Sequence, residues 1–178
     1  MTVLDMTDAR YRQADVAAPE VTISIDDPRA CDVRELVERH LEFATSHKPP
    51  GDVHALDVAD LLHPAVTVFS YRAGGGLLAV GALKRLDRRQ AELKSMHTAE
   101  AARGRGIGRA MVARLIGVAR DRGFARVSLK TGSQPAFAPA RSLYASAGFT
   151  PCGPFGGYRP SRHSTFMTRS LDDPDLAA

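Results

Sequence analysis

The stretch Ala91-Glu92-Leu93-Lys94-Ser95-Met96, followed seven residues later by Arg103-Gly104-Arg105-Gly106-Ile107-Gly108, decides how this chain folds. Apolar side chains fall at 91 and 93 and then, after Lys94-Ser95, at 96, close to the period of two of a half-buried strand. Beyond the glycines, Ile107, Met111, Leu115 and Val118 recur at helical spacing, as do Ala110 and Ala113. The period switches from two to 3.6 across a glycine-rich turn, which predicts a strand, a turn and a helix over residues 106–122. Glycine lets the backbone approach a ligand closely, and the first amides of a helix have no intrahelical partner. Those amides, the positive helix end and two arginines make a site for a phosphate or pyrophosphate.

The turn is not a P-loop, because no Gly-Lys-Ser/Thr follows its last glycine. It is a poor dinucleotide fingerprint, since Gly104, Gly106 and Gly108 are spaced G-x-G-x-G and lie past the midpoint of the chain. A flexible basic turn that merely starts a helix is the plainer alternative.

Outward from this centre, Val21-Thr22-Ile23-Ser24-Ile25 alternates as a strand. Asp26-Asp27-Pro28 signals a helix start, with Asp27 as N-cap and Pro28 in the first turn. Val33, Leu36, Val37, His40 and Leu41 outline an amphipathic helix to about residue 46, broken by His47-Lys48-Pro49-Pro50-Gly51. Residues 58–62 fit a short helix before Pro64. Residues 66–72 and 77–86 fit a hairpin around Ala73-Gly74-Gly75-Gly76. After the central helix come a strand over 126–131, a helix near 137–147 closed by Gly148, and a last strand at 165–168. The order β-α-(α)-β-β-β-α-β-α-β(β) is that of an α/β fold with a mixed sheet. Residues 1–18 are polar and aperiodic and are expected to be poorly ordered; 19–172 form a single domain, and 173–178 a tail.

With 178 residues, 44% hydrophobic and 25% charged, the chain reads as one soluble globular domain. Cys31 and Cys152 form no C-x-x-C pair and read as ordinary thiols. No apolar run approaches membrane-spanning length and no signal peptide is visible, so the expectation is a cytoplasmic protein without a membrane partner. The net charge of +4 is an arginine excess clustered at 85–89, 103–126 and 159–169. Tryptophan is absent and aromatics are 6%, which argues against a base-stacking platform, so no nucleic-acid partner is expected. The central cluster fits a polyanionic cofactor better. His40, His47 and His54 are spaced by seven, which is not a metal-ligand pattern, and no metal is expected.

The pattern Arg103-x-x-Gly106-x-Gly108 after a strand resembles the acetyl-CoA motif of the GNAT N-acetyltransferase superfamily. Leu143-Tyr144-Ala145-Ser146-Ala147-Gly148-Phe149, downstream of the strand 126–131, resembles the family's Leu-Tyr-x-x-x-Gly-Phe segment. The resemblance covers residues 66–171 well and the N-terminal third loosely, and the C-terminal half is similar to a group of small bacterial acetyltransferases. It implies a GNAT-like mixed, mostly antiparallel central sheet flanked by helices, and acetyl-CoA as co-substrate. It implies that the backbone of Met96, His97 and Thr98 holds the pantetheine arm, with an amide near Met96 facing the oxyanion. Arg103, Gly104, Arg105, Gly106, Ile107, Gly108 and Arg109 would hold the pyrophosphate. Tyr144 matches the general acid, whose ordinary pKa near 10 suits protonating a thiolate. Glu92 is the best-placed base and His97 its rival; an exposed strand glutamate paired with Lys94 stays open. His47, Pro49, Pro50, His54 and Ala55 are the expected substrate contacts, and residues 154–159 could cover the same cleft. The implied reaction is direct acetyl transfer to a primary amine of a small metabolite in a ternary complex. Protein acetylation on a lysine or N-terminus, and a non-catalytic CoA-binding regulator, are the alternatives. A homodimer is compatible with the resemblance.

Overall fold

The computed structural model of the protein describes residues 19–172; the segment 1–18, expected to lack order, and the tail 173–178 lie outside the described residues. Strand β1 (Val21–Ile25) is followed by helix α1 (Cys31–His47). The helix starts later than its sequence signal suggests. Asp27 accepts from the Arg29 amide at 2.9 Å and from its guanidinium at 2.8 Å. That carboxylate shapes a turn rather than capping a helix, and the N-cap falls on Ala30. Helix α2 (Val58–Leu61) opens on a capping box in which Asp57 and Asp60 each accept from the other's backbone amide. Strands β2 (Val66–Ala73) and β3 (Gly76–Arg85) form the expected hairpin, and β4 (Gln90–Thr98) pairs antiparallel with β3. Helix α3 (Ile107–Asp121) carries the chain to β5 (Arg126–Gly132). Helix α4 (Ala138–Ser146), a two-residue strand β6 (Thr150–Pro151) and β7 (Ser164–Ser170) complete the order.

The sheet has seven strands in the order β1-β2-β3-β4-β5-β7-β6. All pairs are antiparallel except β4–β5, which α3 connects as a crossover must. One face packs on α3 and α4 through Leu83, Leu93, Val127 and Leu129. Met111 and Leu115 of α3 are fully buried there and contribute on the order of 1.5–3 kcal/mol each. The other face packs α1 and α2 against Val68, Val80 and Ala82. No helix among the described residues is long and apolar enough to cross a membrane.

Two irregularities of β4 open the sheet at its centre. The β4–β5 ladder stops at the pair Leu93–Leu129, although β4 runs on to Thr98 and β5 to Gly132, so the two strands part as a wedge. At the same level Ser95 adopts φ 50°, and the β3–β4 register slips between Val80 and Ala82. This is a β-bulge, held at a cost of order 1–3 kcal/mol in a non-glycine residue. Gly81 lies opposite, where a Cβ would sit 2.6 Å from Met96 Sδ, 3.2 Å from Leu115 Cδ1 and 3.3 Å from Met111 Cγ. The missing side chain is what lets the bulge, the strand and α3 come this close.

Candidate active site at the sheet wedge

Below the wedge runs a cleft of about 890 Å³, within the size range of small-molecule sites. Its floor is the turn into α3. Gly106, the N-cap, lies at φ 78° and offers no side-chain cap to the helix. Among the described residues the six amides from Gly104 to Arg109 have no hydrogen-bond acceptor, whereas Arg103 donates to Glu100 and Ala110 to Gly106. Consecutive unpartnered amides at a helix N-terminus form a cradle for an anion. A Cβ on Gly106 would meet nothing within 4 Å, so the space beside the turn is open. Of the residues expected to hold the cofactor, Met96, His97, Thr98, Arg103, Gly104, Gly106, Ile107, Gly108 and Arg109 line this cleft. Arg105 is exposed and lies outside the lining.

Above the wedge is a second, smaller cavity of about 120 Å³. Six residues line both spaces: Phe43, Met96, His97, Phe137, Ala140 and Tyr144. Tyr144 is 6% exposed and stacks edge-on against Phe149, with ring centroids 5.9 Å apart. Burial pushes its phenol well above the ordinary tyrosine range, so the hydroxyl keeps its proton. Of the expected substrate contacts His54 and Ala55 line the small cavity, and His47, Pro49 and Pro50 do not. His47 is exposed, its Nδ1 2.8 Å from the Phe43 carbonyl, and Pro50 is exposed in the following turn; neither lines either space. Of the three histidines at spacing seven, His40 and His54 line the small cavity and His47 does not. His40 is half-buried beside His97, ring centroids 5.4 Å apart. Burial first, then neighbouring positive charge, lowers His40 to about 3 and His97 to about 4. Both imidazoles are neutral at pH 7.

Glu92 is 2% exposed, neither a surface glutamate nor a lining residue of either space. The Tyr158 hydroxyl donates to its Oε1 at 2.7 Å, and Lys94 Nζ lies 3.5 Å from the same oxygen. Lys94 in turn donates to the Tyr158 oxygen at 2.8 Å and to the His54 carbonyl at 2.9 Å. Burial lowers Lys94, and Glu92 opposes that shift. The segment carrying Phe155 and Tyr158 is thereby tied onto the sheet beside the small cavity. Lys48, Lys94 and Lys130 all line that cavity; the sequence points to Lys94, as a partner of Glu92 or a cleft residue, but not to Lys48 or Lys130. They come from the end of α1, from β4 and from β5, and no local pattern links them. Ser95, on the bulge, also lines the cavity, and its buried Oγ has no partner among the described residues.

The sequence model described as "Acetyltransferase (GNAT) family" matches residues 32–149. The chain is 42% identical over 149 residues to the uncharacterized N-acetyltransferase YsnE of Bacillus subtilis, covering 84% of this chain and 99% of that protein. It is 41% identical over 150 residues to the uncharacterized N-acetyltransferase YedL of Escherichia coli, covering 84% and 94%. Among solved structures, a GNAT family acetyltransferase from Elizabethkingia anophelis with acetyl-CoA bound superposes with a TM-score of 0.63. That match has 16% identity and covers 85% of this chain and 98% of the other. With more than half its length matched by the family's pattern, on a sheet opened between β4 and β5, the chain belongs to the GNAT family and is an acetyl-CoA-dependent acetyltransferase.

Proposed function

We propose that the protein acetylates a primary amine of a small metabolite, by direct attack of the amine on acetyl-CoA in a ternary complex. The observation that carries this reading is the meeting of the two spaces at Tyr144. The large cleft, with its cradle of free amides, suits the donor. The small cavity, with the volume of about four waters, suits a compact acceptor rather than a folded protein surface. In this arrangement the cradle of 104–109 binds the pyrophosphate, and the β4 backbone from Met96 to Thr98 binds the pantetheine arm.

The chemistry places three demands on the chain. The amine must arrive with a lone pair. Three lysines around one small cavity disfavour a fourth ammonium, so the acceptor sheds its proton to solvent on entering. The lone pair then attacks the thioester carbon, the C–N bond forms and the C–S bond breaks. The nitrogen loses its surplus proton to solvent, and the departing thiolate is stabilised by a hydrogen bond from the Tyr144 hydroxyl until it takes a proton from solvent. With its pKa raised, Tyr144 acts first as a hydrogen-bond donor to the developing thiolate. His97, neutral near pH 7, can accept a hydrogen bond from the amine but is a weak proton store. Glu92 touches Lys94 and Tyr158, and we assign it to positioning them rather than to taking the proton.

Two measurements follow. Initial rates with both substrates varied are expected to give intersecting lines. Parallel lines, with label exchange between CoA and acetyl-CoA in the absence of amine, would exclude direct attack. Neither Cys31 nor Cys152 lines either space, so no thiol is placed to carry an acetyl group between two half-reactions. Glu92→Gln is expected to lower stability by about 3 kcal/mol or more, because it leaves the buried Lys94 charge without its counter-charge. The loss of kcat should be equal at all pH values between 6 and 9. A loss concentrated at low pH would instead make Glu92 the base.

A further inference from the structure

We infer that the acceptor is an amino acid or a closely related amine bearing a carboxylate, with that carboxylate held between Lys48 and Lys130. The inference rests on the acetylation of a small amine in this cavity and narrows the class of amine.

Three ammonium groups line a space of about 120 Å³, and they are not equivalent. Lys94 is already satisfied: its hydrogens go to Tyr158 and the His54 carbonyl, and Glu92 balances its charge. Lys48 and Lys130 are different. Among the described residues neither Nζ has a hydrogen-bond acceptor or a carboxylate within 4.0 Å. Each lies over an aromatic face instead, Lys48 at 5.0 Å from the Phe137 centroid and Lys130 at 4.9 Å from the Tyr158 centroid. Both are half-buried. Two partly desolvated cations facing the same small space, with donors to spare, are a receptor for an anion. Lys48 has its charged form destabilised by burial and then by Lys130, which brings it to about 8, and Lys94 acts in the same sense. A bound carboxylate relieves that repulsion. Asp52 is half-buried and in electrostatic reach of both lysines, but it does not line the cavity and accepts no hydrogen bond from either ammonium.

Other groups of the same cavity suit the amine. Ser95 Oγ lines the cavity, buried and unpartnered among the described residues, and Tyr144 marks the junction with the large cleft. An acceptor with its carboxylate on Lys48 and Lys130 and its amine toward Ser95 and Tyr144 uses both sets of free groups. The cavity volume sets a limit as well, favouring compact amino acids over peptides.

The test is turnover of acetyl-CoA, followed by thiol release, with two matched series of probes. One is the common α-amino acids with β-alanine and 4-aminobutyrate; the other is the primary amide of each. The expected result is a KM for at least one acid lower by about tenfold or more than for its amide. Lys48→Gln and Lys130→Gln should each bring that acid-to-amide ratio close to one, and Lys48→Arg or Lys130→Arg should retain most of it. The acid's KM should rise above pH 8 as Lys48 loses its proton in a setting that includes Lys94, Lys130, Asp52, His54 and His40. Amides turned over as well as their acids, or an acid preference that survives in both glutamine variants, would overturn the inference while leaving small-amine acetylation standing. Saturable binding of acetyl-CoA with no turnover of any probe in either series would overturn both.

Discussion

Replacing Gly106 by valine is expected to weaken acetyl-CoA binding by about 100-fold or more, corresponding to about 2.7 kcal/mol. Two losses add. Gly106 lies at φ 78°, a region a β-branched residue does not adopt without strain, so the turn must re-form. Re-forming it turns the six free amides of 104–109 away from a common focus. Each amide bound to a pyrophosphate oxygen is worth about 1.5–3 kcal/mol, and losing the aim of two is enough for the stated effect. Gly108→Val should act by another route, since a Cβ there sits 3.2 Å from Leu143 Cδ2 and presses on α4. Calorimetric titration with acetyl-CoA reads both. Parent-like affinity in the Gly106 variant would remove this turn as the pyrophosphate site.

Tyr144→Phe is expected to lower kcat by about 100-fold while leaving the acetyl-CoA Kd within about twofold. The phenyl ring keeps the edge-on contact with Phe149 and fills the same buried volume, so packing and cofactor binding change little. What goes is one proton at the junction of the two spaces. The thiolate then leaves without a donor, and the rate falls by the value of that hydrogen bond in a dry site. Steady-state rates beside the calorimetric Kd separate the two effects. Unchanged turnover would assign the tyrosine to packing alone.

The fold was legible where its signals are local. Ala91, Leu93 and Met96 already carry a phase slip in their apolar spacing, and the structure resolves that slip as the bulge at Ser95. The strand–turn–helix unit around Gly106 and the hairpin at Gly74-Gly75 follow from periodicity and glycine placement. The start of α1 was misplaced because Asp27 has a nearer partner in Arg29 than in a helix amide. The large cleft was legible, because its lining is nearly continuous in sequence from Met96 to Arg109. The small cavity was not. The Tyr158 hydroxyl reaches Glu92 across 66 positions, and Lys94 reaches the His54 carbonyl across 40. Neither meeting leaves a trace in any short window. His47 and Pro50 were placed in the cavity by their position after α1, yet it is the intervening Lys48 that lines it.

The wedge between β4 and β5 therefore divides heritable tasks. The residues of the α3 turn line only the lower space, whereas Lys48, His54 and Lys130 line only the upper one. On the acceptor reading proposed above, substitutions at positions 48 and 130 are expected to redraw acceptor preference one charge at a time without touching the lining of the large cleft. A small panel of variants at these two positions is consequently the shortest route from this scaffold to acetyltransferases of altered selectivity.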